Sequence, residues 1–225
     1  SDSMCLLDLL LRIKEHAVES RTFPHIVAVH VHHGLRGQDA DDDLSLVKAY
    51  CDKKGVAFHS RYTDIAMMAK QEGLSIEHAG RNARHEFFEK SASDYENNYV
   101  KVRIALAHQR EDKAETMMMN LFRGSGLDGL CAMPPLSGRV IRPLLFASKM
   151  QIMSYLEEYK VPLRHDQTSL SDDFSRNVWR NRVFPLLKTV AIKDPVDALI
   201  DVSAHLETDK EYIDMQARLV FTETV

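Results

Sequence analysis

Cysteine is too scarce and too scattered to organise this chain. Cys5, Cys51 and Cys131 are odd in number, far apart and form no C-x-x-C pair, which argues against a disulfide framework and against a cysteine-built metal site. A reducing cytoplasm suits such a chain. A membrane span is missing too: the apolar run Met4 to Leu11 is broken by Asp8, has no basic flank ahead of it and falls far short of the roughly 20 residues a span requires. It reads as a buried helix. Net charge is slight, -4 with a pI near 6.3, so the total gives no sign of nucleic acid, and neither an internal repeat nor a low-complexity segment is visible. Charge is nevertheless unevenly placed. Five basic residues and no acid lie between Arg176 and Lys193, and the tail from Asp194 onward is acidic. Local basicity beside a site matters more than the sum.

What is present is an ordinary globular composition, 44% hydrophobic and 28% charged over 225 residues, enough for one α/β domain and a fragment of a second. The stretch VKVRIALAHQREDKAETMMMNLFRGSGL, residues 100 to 127, ties a strand, a loop and a helix to one chemical face. Val100 to Ala107 is β-branched and apolar and stops at the polar loop His108 to Arg110, as a buried strand does. A helix is predicted from about Glu111. At 100° per residue Ala114, Met117, Met118, Leu121 and Phe122 share one side, whereas Asp112, Glu115, Thr116, Met119 and Arg123 share the other. Asp112 and Glu115 therefore sit one turn apart just past a strand's carboxyl end, where open α/β sheets bind ligands. Acids in a first helical turn also stabilise the macrodipole by about 0.3 to 1 kcal/mol with no ligand at all. The run Arg123, Gly124, Ser125, Gly126 favours the ligand reading. A helix stop needs one glycine, and two around a serine suggest a backbone that something approaches closely.

Taken in order, Ser1, Asp2 and Ser3 form an N-cap cluster leading into the helix MCLLDLLLRIKEH. Ile26 to Val31 is a strand followed by the loop HHGLRG, Gln38 to Lys54 a helix, and Val56 to Tyr62 a second strand. Ser75 to Tyr95 is a long helix that puts Arg81, Arg84 and His85 within one turn of each other. Val140 to Leu145 is a short extended piece, and Ser148 caps a helix running to about Lys160. In FSRNVWRNRVFPLL, residues 174 to 187, Arg176 and Arg180 are four apart on one helical face, able to make a two-pronged anion contact or to form a solvated basic surface. Strands alternate with helices, so the fold class expected is α/β with a doubly wound, mostly parallel sheet, followed by the start of an all-α domain.

The ordered set SDS, HHGLRG, AGRNAR, LAHQREDKAET, RGSGL-x-GL, IRPLL and D-x-T with RNVWRNRVFPLL resembles the tRNA(Ile)-lysidine synthetase family of the PP-loop ATP pyrophosphatase superfamily. The resemblance implies a Rossmann-like, adenine nucleotide alpha hydrolase-like catalytic domain over residues 1–190. Residues 191–225 would open a helical second domain, and the first strand and the loop's Ser-Gly-Gly are expected upstream of Ser1. It implies a ligase that adenylates the C2 oxygen of the wobble cytidine in an isoleucine tRNA with a CAU anticodon, after which the lysine ε-amine displaces AMP. ATP, Mg²⁺, L-lysine and the tRNA are the cofactors and partners so implied, with no membrane, a cytoplasmic location and room for a homodimer.

Carried over residue by residue, the resemblance assigns ATP to Ser1, Asp2, Ser3, His30, His33, Gly34, His108, Arg123, Gly124, Ser125 and Gly126, with Asp2 also on the metal. Lysine falls to Asp112, Glu115 and Arg180, carboxylates on the α-ammonium and arginine on the carboxylate. The tRNA falls to Arg36, Arg81, Arg84, Arg176 and Arg182, and direct catalytic roles to Asp2, His108, Asp112 and Arg180. The chain departs from the family pattern at His32, Gly80, His85, Glu111 and Lys113. Two competing readings are a thiolase or amidating synthetase of the same superfamily, and a non-catalytic nucleotide-binding module. Thiolases of this class generally need paired cysteines, and a mere binding module needs no Asp112, Glu115 and Arg180 combination. His30, His32 and His33 also raise zinc, against which stands the lack of a cysteine or carboxylate at ligand spacing.

Overall fold

The first helix, α1 (Asp2–His16), is buried all round in its early turns, where Met4, Cys5, Leu6, Leu7 and Leu11 are enclosed and with them Asp8, which is 1% exposed. The computed structural model to which it belongs describes residues 1–17, 25–96, 101–164 and 175–223. A buried carboxylate has to be hydrogen-bonded, and Asp8 accepts from Tyr50 of α2 (Gln38–Lys54), from Tyr155 of α7 (Lys149–Glu158) at 2.7 Å and from Arg12 at 2.6 Å. Burial pushes its carboxyl up, but those bonds outweigh it and hold the group below its usual range. Three helices are thus fixed to one another by a single side chain.

The described chain divides into two compact units. The first comprises Ser1–Ala107, Ser137–Ile141 and Met150–His165. In it β1 (Val27–His32) pairs in parallel with β2 (Ala57–Tyr62), in register from Val27 with Ala57 to His32 with Tyr62. β3 (Ile104–Ala105) pairs in parallel with β5 (Val140–Ile141), and β4 (Leu136–Ser137) completes that short sheet. The α/β class and the parallel pairing stand as expected. Among the described residues, however, the strands form two sheets instead of one continuous sheet. The expected strand 100–107 narrows to two residues, with Val100 outside the described residues. The expected extended piece from Val140 ends at Ile141, because the chain turns at Pro143, which has no N–H for a ladder.

The parallel pair β1 and β2 is joined through α2, and two further helices follow β2. Between β2 and α4 (Ile76–Glu96) lies α3 (Ile65–Glu72), which the sequence reading passed over. Asp64 caps it by accepting the Met67 N–H at 2.9 Å, and Gly73 ends it in the left-handed region. Ile65 and Ala69 of α3 pack on Ala79 and Ala83 of α4.

The second unit comprises His108–Leu136, Arg142–Lys149 and Asp166–Val225. It holds α5 (Arg110–Phe122), α6 (Leu127–Leu130), α8 (Ser175–Val178), a π-helical turn (Trp179–Val183), α9 (Phe184–Val190) and α10 (Pro195–Glu223). Phe174, the D-x-T motif at 166–168 and the last residues, 224–225, lie outside the described residues. The core is Ala114, Phe184 and Val196, with Met118, Trp179, Leu199 and Ile200 packed around it. Burial along α5 departs from the helical-wheel split that the sequence predicts. Ala114 and Met117 are buried as expected, but Leu121 and Phe122 are 47% and 72% exposed, while Lys113 and Glu115 on other faces are buried. The first two turns are enclosed all round, because arginines cover one polar face and Glu207 of α10 pairs with Lys113 at 2.7 Å.

Candidate active site

Asp112, Glu115 and Arg180, which the sequence reading grouped, are together in the second unit. Asp112 works in two directions. Its Oδ2 accepts the Gln109 N–H at 3.0 Å, closing the start of α5, while its Oδ1 faces Arg180 Nη2 at 3.1 Å. Glu115, 1% exposed, receives a fork from the same guanidinium, Nε to Oε1 at 2.8 Å and Nη2 to Oε2 at 3.0 Å. Such a bidentate pair is among the stronger protein hydrogen-bonding arrangements. Burial pushes the Glu115 carboxyl up, with Arg180 pulling the other way and Asp112 adding to the rise.

Arg180 lies in the π turn. Pro185, in the first turn of α9, has no N–H to give the carbonyl of Asn181, and its ring crowds that carbonyl. Widening the preceding turn accommodates both effects. Trp179 pins the turn from the side, with its ring 5.3 Å from Phe122 and 6.5 Å from Phe184. Arg176, expected at the tRNA, stands at this same cluster: its Nη2 donates to Thr116 Oγ1 at 3.2 Å and its Nε is 3.7 Å from Glu115 Oε2. Arg182, by contrast, is exposed.

The other residues expected to meet ATP divide between the units. In the second, His108 Nδ1 accepts from Arg142 Nε at 3.2 Å, which assigns the ring proton to Nε2. Arg142 also donates to the Pro134 carbonyl at 2.7 Å. The sequence reading missed Arg142 as a partner of His108, although it sits inside the IRPLL motif. Gly124 has φ +76 and ends α5 in the left-handed region. The close approach expected around Ser125 is real but internal. A Cβ on Gly129 would overlap the Ser125 side chain, and Asn120 Nδ2 donates to the Gly129 carbonyl at 2.9 Å. Arg123 and Gly126 are exposed.

In the first unit, Ser1 and Ser3 are exposed at the N-terminus of α1, and Ser1 Oγ donates to Asp2 Oδ1 at 2.8 Å. The loop after β1 is held from within. Gly34, at φ +69, donates its N–H to His32 Nδ1 at 3.2 Å, and a Cβ there would lie 2.8 Å from Tyr62 Oη. His32 stacks on Tyr62 at 5.3 Å, and its Nε2 lies 3.2 Å from Asp41 Oδ1. A carboxylate does therefore approach these histidines, from α2, where sequence spacing showed none. Among the described residues no three His, Cys, Asp or Glu side chains gather as a metal site. Burial, then Arg84, lower His33 to about 4, so it is neutral at pH 7. Burial likewise lowers His30.

Of the remaining arginines expected at tRNA, Arg36 pairs with Asp43 at 2.7 Å, and Arg81 and Arg84 are exposed along α4. The departures at Glu111 and Lys113 have structural partners. Glu111 accepts the Lys149 N–H at 3.0 and 3.1 Å, and Lys113 joins α5 to α10 through Glu207. Cys5, Cys51 and Cys131 are all buried, and burial pushes the Cys51 and Cys131 thiols up. No described helix is long and apolar enough to cross a membrane.

Comparison with known proteins gives this geometry a setting. Residues 1–187 match the PP-loop domain family. The chain is similar to a tRNA(Ile)-lysidine synthase of Clostridium tetani, 35% identical over 214 residues, covering 95% of this chain and 44% of that protein. Another, from Chlorobaculum tepidum, is 36% identical over 214 residues, covering 95% of this chain and 62% of the relative. A third, from Bacillus subtilis, is 33% identical over 216 residues, covering 94% and 43%. The chain spans about half the length of the curated relatives it matches, 44% to 46% for the first three. Among solved structures, the U34-tRNA thiolase NcsA from Methanococcus maripaludis, described with its [4Fe-4S] cluster, has the same fold, with a TM-score of 0.68 at 16% identity over 92% of this chain and 69% of that one.

Proposed function

Since the chain belongs to the PP-loop domain family, we propose that it acts as a tRNA(Ile)-lysidine synthase. The observation that carries this reading is the Arg180 fork on Glu115 with Asp112 beside it. Two carboxylates and a guanidinium on one small surface are what a free α-amino acid needs, because both signs about its α-carbon must be fixed. Lysine would place its ammonium on Asp112 and Glu115 and its carboxylate on Arg180. A zwitterion adds no net charge, so its binding leaves the overall charge of the cluster unchanged.

The reaction requires two steps. The cytidine C2 oxygen attacks the α-phosphorus of ATP, and pyrophosphate leaves. The neutral lysine ε-amine then attacks C2, the C2–O bond breaks, AMP leaves with the oxygen, and the amine loses a proton. In the first unit, the N-terminus of α1 with Ser1 and Ser3 is proposed to meet phosphate, as helix N-termini do, with His30, His33 and Gly34 also on the nucleotide. Asp2 suits Mg²⁺, which is commonly held by one or two carboxylates and by substrate phosphates. In the second, His108, with Arg142 fixing its tautomer, presents a donor to anionic oxygen, and Arg123 to Gly126 are assigned to the nucleotide with it.

Residues 1–190 are proposed as the catalytic domain and 191–225 as part of a helical one, in a cytoplasmic enzyme acting on the CAU anticodon. The test is mass spectrometry of isoleucine tRNA incubated with the protein, ATP and L-lysine. The wobble cytidine should gain one lysine less one water, only when both small molecules are present. A tRNA that is unchanged, or that gains sulfur instead, contradicts the proposal.

A further inference from the structure

The acid cluster contains one cation more than an amino acid requires. Arg180 alone satisfies both oxygens of Glu115, yet Arg176, one turn earlier in the chain, also turns toward α5. Two of its nitrogens are directed there. Nη2 donates to Thr116 Oγ1 at 3.2 Å, and that hydroxyl can only accept, because its own hydrogen goes to the Asp112 carbonyl at 2.8 Å. Nε is buried, 3.7 Å from Glu115 Oε2, and has no hydrogen-bond partner. A guanidinium reading phosphate on a nucleic acid would not direct its fork inward at a carboxylate that is 1% exposed.

We propose that Arg176 is a positioning residue of the amino-acid site, taking over the Glu115 carboxylate when Arg180 engages the carboxylate of the substrate. The inference rests on the cluster being the lysine site. Once Arg180 moves its fork to the ligand, Glu115 remains buried with the incoming ammonium as its remaining charge partner, and an underpaired buried carboxylate is costly. Arg176 Nε needs to approach by less than an ångström to make the missing hydrogen bond. Glu115 is faced by Asp112 from its own helix, by Arg176 from α8 and by Arg180 from the π turn, so no other described charge stands ready for the task.

The test combines a ¹³C-carboxyl NMR titration of Glu115 with binding of L-lysine and of tRNA, in wild type, Arg176→Gln and Arg176→Lys. In Arg176→Gln the Glu115 midpoint should rise by about one pH unit and lysine binding at pH 7 weaken about tenfold. Affinity for tRNA should change less than about twofold, and Arg176→Lys should recover most of the loss by restoring the charge. In a Glu115→Gln background Arg176→Gln should weaken lysine by less than about twofold more, since coupled residues are not additive. An unmoved Glu115 titration, or lost tRNA affinity with lysine binding intact, overturns the proposal for Arg176. Failure of the wild type to bind lysine overturns the functional reading itself.

Discussion

At the scale of single residues, Gly129 has a packing role beside the glycines that the sequence singled out. A Cβ on it would overlap the Ser125 Cβ. Gly129→Ala should therefore destabilise the fold by about 1 to 3 kcal/mol, as overpacking does. Urea unfolding of the variant against Gly126→Ala, where a Cβ meets nothing within 4 Å, checks it. The charges of Asp112, Glu115 and Arg180 were legible because charge complementarity survives without coordinates. The direction in which Arg176 points was not, since residues on a common face can look inward or outward. Asp112 has a second, structural use that spacing alone did not reveal. Asp112→Asn should retain an acceptor for the Gln109 N–H, whereas Asp112→Ala should also lose about 1 kcal/mol of helix capping.

At the scale of elements, helix boundaries came through well where caps and charges mark them. Gln38 to Lys54 is the helix that its acidic start and the Gly55 stop demand, and Gly55 takes φ +65. α3 escaped notice because eight residues give too little periodicity to separate a helix from a loop. The π turn has a sequence cause in Pro185, but a proline permits a kink, a stop or a π turn alike. Helix α4 carries a testable consequence of its contact with the β1 loop. A Cβ on Gly80 would meet His33 Cε1 at 3.6 Å and Ile65 Cγ2 at 3.8 Å, ordinary contacts. Gly80→Ala should accordingly raise stability by about 0.5 to 1 kcal/mol through helix propensity, read by urea unfolding.

His33 gives the same element pair a pH dependence. Its folded value near 4 lies below the ordinary 6.5, so the unfolded chain binds the proton more readily. The contribution is complete above about pH 6.5 and is lost as the pH falls toward 4. Thermal unfolding from pH 7.5 to 4.5 should show wild type losing stability faster than His33→Gln. Parallel curves for the two would contradict the burial argument.

At the scale of the whole molecule, the basic run that suggested a tRNA footprint is largely spent within the protein. Arg176 and Arg180 face Glu115, Lys188 lies 2.9 Å from Asp194, and Lys193 pairs with Asp201. Those four charges are therefore already answered in the same unit. Binding of tRNA by this chain should vary weakly with salt, with a log–log slope shallower than about -3. A steep slope near -5 would mean that the ion pairs open for phosphate. The two-unit division was not legible, because it depends on which distant segments pack together, and sequence pattern reports only local faces.

The cluster on α5 and the π turn is proposed to read the amino acid and to leave the nucleotide to other residues. The direct measurement is equilibrium affinity for L-lysine and, separately, for ATP, in wild type and in Asp112→Asn, Glu115→Gln and Arg180→Lys. Lysine binding should weaken by about 1.5 to 3 kcal/mol in each carboxylate variant, the scale of hydrogen bonds to charged groups. Arg180→Lys should also bind lysine poorly, because a point charge cannot replace a planar fork, while ATP affinity stays within about twofold in all three. Equal losses for lysine and ATP would show that these residues shape the nucleotide site or the fold instead.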